Sequence, residues 1–151
     1  MATTARPDPL RNFRFLVEIG GLPDIAFSEV SIGSITIAVI EYRAGSEPTH
    51  VRKLPGLTHY GDVTLRRGIV CSGVTGALDL YQWISEVVAG NMVAARRTVI
   101  VVVLDEAGNE CARFKVHNAW PIKYQVSDLD GRGNEVLIET LELANEGIER
   151  V

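Results

Sequence analysis

Residues 98–118 read TVIVVVLDEAGNECARFKVHN, and two short runs divided by EAGN decide what kind of fold this chain has. The first run, Thr98–Asp105, is apolar on both faces, so it reads as a central strand covered on both sides. The second, Cys111–Asn118, alternates Phe114 and Val116 with Arg113, Lys115 and His117, so only one of its faces needs cover. Asp105 and Glu106 begin the turn between the two runs and are explained by it.

The same period of two recurs on either side. In NFRFLVEIG, residues Phe13, Phe15, Val17 and Ile19 share one face, while Asn12, Arg14, Leu16 and Glu18 share the other. Further strands are expected over Ile25–Val30, Ile35–Arg43, Asp62–Val70, Ile122–Val126 and Glu135–Leu143, bounded by turn signals such as GGLPD and DLDGRGN. About eight strands make the chain mainly β, a β-barrel or β-sandwich. One stretch breaks the pattern: in GALDLYQWISEVVAG, an apolar stripe at Leu80, Tyr81, Ile84, Val87 and Val88 predicts one flanking α-helix over about residues 76–89. Trp83 falls at the edge of that stripe and Gly90 stops the helix. The helix is expected to plug the open side of the barrel or sandwich.

Composition narrows the function classes. With 151 residues and 46% hydrophobic content, the chain is expected to form a single domain over 1–151, with a flexible segment at 1–10. A chain with 19 acidic and 15 basic residues has no overall drive toward nucleic acid phosphates. Cys71 and Cys111 are forty residues apart with no metal-ligand spacing, and read as reduced, packed thiols. MATTARPDPLRN lacks the apolar core of a signal peptide, and the run Val99–Leu104 is far short of the ~20 residues a membrane helix needs. These features lead us to expect a product that stays in the cytoplasm where it is made, with no membrane insertion.

A search for chemistry returns turns and surfaces. Asp128, Asp130, Gly133 and Glu139 occupy the first, third, sixth and twelfth positions of a calcium-binding loop, but Arg132 fills the fifth and strand-like flanks replace the required helices. A hairpin turn explains the same residues. His50, His59 and His117 are scattered without catalytic or metal-ligand spacing, and there is neither a nucleophile elbow nor a phosphate-cradling glycine loop. No enzymatic activity, cofactor or metal is expected.

The segment VRKLPGLTHYGDVTLRRG at 51–68 gathers basic residues and a histidine around a Pro-Gly pair. Arg66 lies on the polar face of the strand DVTLRRGI. Arg67 breaks the apolar face and must emerge at its end or find an acidic partner. The connection from Arg43 to Tyr60 is long and mixes apolar with basic residues, as expected of a binding arm.

Taken in order, RNFRFLVEIGGLPDIAFSEVS, IEYRAG, VRKLPGLTHYGDVTLRRG, RRTVIVVVLDEAGNECARFKVHNAWPIKY and GNEVLIETLELANEGIERV resemble the phage tail tube protein family, in the branch shared with contractile injection systems. The resemblance covers roughly residues 10–150. It implies a non-enzymatic β-barrel or sandwich subunit with one flanking helix, a hexamer whose rings stack into a hollow tube inside a contractile sheath. It also implies baseplate or hub and tube-terminator partners, and protein cargo or DNA passing through the lumen without specific binding. Candidates for contact between copies are Arg43, Glu47, Arg52, Lys53, Tyr60, Arg66 and Arg67 with Glu139, Glu142 and Glu146. A tip-proximal, tube-initiating paralogue is the alternative within the family, and a small-ligand-binding β-barrel the alternative outside it. The chain departs from its relatives at IGSITIAVIEYR, where Ile35, Ile37 and Val39 on one face and Ala38 and Ile40 on the other make a strand far more apolar than a channel wall requires.

Overall fold

The computed structural model describes residues 14–22, 25–46, 48–133 and 135–151. Segment 1–10, expected to be flexible, Phe13 of the first strand and Glu47 lie outside the described residues.

Among the described residues there are nine strands and two helices. Strands β1 (Phe15–Ile19), β6 (Arg97–Leu104), β7 (Glu110–Val126), β8 (Ile138–Ala144), β5 (Val63–Gly68) and β2 (Glu29–Ser31) hydrogen-bond in that spatial order, all antiparallel, and β9 (Gly147–Arg150) adds to β7. The expected break between 118 and 122 is absent, and one strand of 17 residues runs through it. Asn118 bends β7 through a positive φ of 50° without ending it, a conformation that asparagine tolerates better than most residues. The half of β7 before the bend pairs with β6 and β9, and the half after it pairs with β8. The seven-stranded sheet therefore folds over itself and encloses a core.

That core is the sum of the period-two faces. Val17 and Ile19, Val99 and Val101, Val63 and Leu65, and Leu141 and Leu143 alternate inward and meet in one buried cluster. Full burial of such side chains contributes roughly 1.5–3 kcal/mol each. β6 is central, between β1 and β7, as its two-sided apolar character requires. The turn after it is closed by Asp105, whose Oδ1 accepts from the backbone N–H groups of Ala107 and Asn109 at 2.9 and 2.8 Å. The Asn109 bond, with help from that of Ala107, holds the Asp105 carboxyl below its ordinary pKa.

The flanking helix α1 spans Asp79–Val88 and packs on β7. Its buried stripe is centred one position away from the expected one. Leu80 and Trp83 are buried, Ile84 and Val87 half-buried, while Tyr81 and Val88 are exposed. Trp83 turns inward because a second helix, α2 (Met92–Ala95), offers it a partner: the indole Nε1 donates to the Ala95 carbonyl at 2.6 Å. A large aromatic with its N–H satisfied is more favourably buried than a tyrosine at the rim.

The remaining strands form a separate element. β3 (Ile35–Tyr42) and β4 (Arg52–Tyr60) pair only with each other, as a two-stranded antiparallel sheet. Residues 52–60, expected to belong to a long irregular connection, are therefore a strand, and the connection shrinks to 43–51. The Pro-Gly pair that suggested a turn is tolerated for two reasons. In a two-stranded sheet every strand is an edge, where a missing proline N–H costs least. The register also shifts between Ile37 and Val39, where Gly56 and Leu57 stand opposite Ala38 beside Pro55, and a Cβ on Gly56 would lie 3.0 Å from the Ala38 carbonyl oxygen.

Candidate assembly surface

The β3–β4 hairpin is an arm with apolar side chains on both faces, and among the described residues no strand or helix covers either face. All eight residues of β3 are exposed, with Ile35, Ile37, Val39, Ile40 and Tyr42 each more than half exposed. Opposite them Leu57 is 76% exposed. An isolated two-stranded hairpin is at best marginally stable in water. Exposed apolar side chains grouped in this way mark an interaction site.

The root of the arm is built to close tolerances. Gly61 N–H donates to the Ser34 carbonyl at 2.7 Å, and an added Cβ on Gly33 would lie 2.2 Å from the Gly61 oxygen, so no other residue fits there without backbone movement. Asn145 Nδ2 donates to Gly61 O at 2.9 Å and ties this neck to the turn between β8 and β9. The arm leaves the body at a fixed point.

The charged residues proposed from sequence fall into three groups. Arg43, Arg52, Lys53 and Tyr60 are on the arm. Lys53 lies directly across from Glu41, Arg52 across from Tyr42, and the Arg43 Nε donates to the Pro48 carbonyl at 3.0 Å in the tip. Arg66, Glu142 and Glu146 are on the body. Arg66 reaches Glu29 of β2 at 3.1 Å, and Glu142 is half-buried on β8 between Thr64 and Lys123. Glu146 accepts from Asn118 Nδ2 at 3.0 Å.

Arg67 and Glu139 form the third group, inside the chain. Cross-strand neighbours on β5 and β8, they point inward and form a buried ion pair through Arg67 Nε and Glu139 Oε1. Arg67 Nη2 also donates to the carbonyls of Gly76 and Ala77, both at 3.0 Å, which fixes the segment leading into α1. Tyr124, missed in the sequence, completes the network by donating its hydroxyl to Glu139 Oε2 at 2.6 Å. Burial, reinforced by that bond to Glu139, pushes the Tyr124 pKa up to about 12. Each polar atom of the pair named here is used within the chain, which is what makes its burial tolerable. Because Glu139 is held here, it is turned away from the 127–137 loop, where Asp130 serves the turn by accepting from the Arg132 N–H at 3.0 Å.

The apolar residues of the arm are the part of the surface that charge-based reasoning passed over. Their signal was the run ITIAVI, apolar on both faces yet followed by no covering element.

The described residues thus form a closed body and a rooted arm whose apolar side chains are exposed. Residues 11–149 match the family of T4-like virus tail tube protein gp19, and the chain belongs to that family. Among solved structures, it resembles a chain in the cryo-EM structure of the anti-feeding prophage baseplate, 6-fold symmetrised, at 27% identity over 97% of both chains and a TM-score of 0.81. A chain of the PVC extracellular contractile injection system sheath-tube complex in the extended state shares the fold at 24% identity, over 96% of this chain and 93% of that one, with a TM-score of 0.78. Hcp1 from Flavobacterium johnsoniae shares it more distantly, at 19% identity over 91% and 94%, with a TM-score of 0.58. No match was found among curated proteins.

Proposed function

We propose that this chain is a structural subunit of the inner tube of a contractile injection apparatus, closing into hexameric rings that stack into a hollow conduit. The observation that carries the reading is the uncovered arm on a family-typical body. An arm that is apolar on both faces gains stability only by being covered, and another copy is available wherever the chain is made. A repeated side-to-side contact closes a ring, whereas a head-to-tail contact that does not close generates a filament. The six-fold symmetry applied to the anti-feeding prophage baseplate supports a six-membered ring. In this role sheath, baseplate or hub and tube-terminator proteins are its partners, protein cargo or DNA passes through the lumen unrecognised, and the chain turns over no substrate.

The same likeness favours a second reading, because the relative at 27% identity belongs to a baseplate. Under it the chain is the tube-initiating subunit at the tip, forming one ring on the baseplate on which the tube is built. The two readings separate by assembly alone: a tube subunit polymerises into long tubes, an initiator stops at rings. Replacing Gly45–His50 with a short Gly-Ser linker removes the tip of the arm and leaves the body strands untouched. Electron microscopy should show that this variant folds yet forms no long tubes. Normal tubes from it would show that the tip is only a surface loop, and a wild-type chain that stays monomeric at high concentration would overturn both readings.

A further inference from the structure

The other end of the problem is what receives the arm. Between β7 and β8 the chain forms a groove of about 570 Å³, lined among others by Asp128, Leu129, Asp130, Glu135 and Val136. It combines two features seldom left exposed together. Leu129 and Val136 are 83% and 72% exposed, and three carboxylates stand beside them against one basic residue, Arg132. The arm tip, residues 41–53, has the opposite balance: Arg43, Arg52 and Lys53 against Glu41 and Glu47. Apolar Val51 and Leu54 are exposed next to those cations. Acid with apolar on one surface meets base with apolar on the other.

We propose that the arm tip of one copy docks in the 127–137 groove of another copy. This rests on the tube reading above and names the surface that the arm contacts. None of the described arm residues lines the groove within the chain itself. A strand of eight residues at about 3.3 Å each carries the tip on the order of 26 Å from its root, far enough to leave its own body. The two surfaces are different patches of one chain, so their union is heterologous and propagates from copy to copy. Complementary charge fixes the register and speeds the encounter, and the apolar residues supply the burial. The Ile69 N–H to Leu137 carbonyl bond at 2.9 Å ties the end of the groove to the segment that follows β5.

The test is a charge exchange in the full chain. Arg52→Glu with Lys53→Glu reverses the arm, and Asp128→Lys with Asp130→Lys reverses the groove. Each pair alone should lose sedimentable tubes, and the chain carrying all four changes should recover them. Tubes from either reversed pair at the wild-type level, or no recovery in the combined chain, would overturn the docking while leaving the tube reading in place. Wild-type protein that forms neither rings nor tubes would remove both. If a reversed chain fails to fold, Val51→Cys with Leu129→Cys in a Cys71→Ser, Cys111→Ser background decides the matter. A short bis-maleimide should then give a ladder of linked copies during assembly, and linkage within single chains only would refute contact between copies.

Discussion

The body and the arm are made of the same kind of sequence and do opposite things with it. In β8, Leu141 and Leu143 alternate with polar residues and disappear into the core. In β3, Ile35, Ile37 and Val39 alternate just as regularly and remain in water. The difference lies in the neighbours: β8 has β5 and β7 on its two edges and a facing sheet layer, whereas among the described residues β3 has β4 alone. Apolar alternation thus specifies a face to be covered without specifying which chain covers it. The placement of charge differs too: Arg67 and Glu139 of the body are buried against each other, while Arg43, Arg52 and Lys53 lie toward the far end of the arm.

The contrast can be broken most severely inside the body. Glu139→Ala leaves Arg67 buried without its carboxylate and should cost about 3–5 kcal/mol of unfolding free energy, measured by urea denaturation. Replacing both partners, with Arg67→Met and Glu139→Leu, should restore most of that loss, because an apolar pair carries no desolvation penalty. A double variant as unstable as the single would mean that the bonds from Arg67 to the Gly76 and Ala77 carbonyls matter more than the charges do.

A smaller effect is expected from the third member of the network. Tyr124→Phe keeps the ring against Tyr81 but leaves Glu139 Oε2 without its donor, a loss of about 1–3 kcal/mol. The hydroxyl also sets an alkaline limit. Its pKa is raised from the ordinary 10.0 to about 12 in the fold, so the folded state holds the proton more tightly than the unfolded chain does. The contribution is whole below about pH 10 and vanishes as the pH climbs through about 12. Wild-type stability should therefore fall over that window, and the fall should be shallower in Tyr124→Phe. Equal slopes would place the raised pKa elsewhere.

What the sequence disclosed follows the same division. The body strands were legible because Val63, Leu65, Leu141 and Leu143 each repeat at period two with a polar alternate. The anomaly of Arg67 was legible too, as a cation on an apolar face. Its partner was only one of several acidic candidates, because Glu139 is 72 residues away and only the β5–β8 register brings the two together. Strand β4 was hidden by Pro55 and Gly56, which signal a turn unless one knows that the strand is an edge. The helix face was displaced by one position because Tyr81 and Trp83 compete for the interior, and the Ala95 carbonyl that settles it lies in a second, four-residue helix. In every case the missing information was a neighbour distant in sequence.

The least disturbance to the folded chain, and the sharpest test of the comparison, comes from the arm. Leu57→Ser changes a side chain that is already 76% exposed, so unfolding free energy should move by no more than about 0.5 kcal/mol. The same chemistry in the body, Leu141→Ser, exchanges a fully buried leucine for an unsatisfied hydroxyl and a cavity, with a cost of several kcal/mol on the order of Leu→Ala losses in cores. If Leu57 is covered only when copies meet, then Leu57→Ser should behave as wild type in dilute unfolding experiments and show its defect in assembly, as a higher protein concentration required before tubes appear. The two assays must disagree for the proposal to stand. A variant equally normal in both would mean that Leu57 stays in water even in the assembled state, and the burial that drives assembly would then have to come from the β3 side of the arm, where Ile37→Ser repeats the test on the opposite strand.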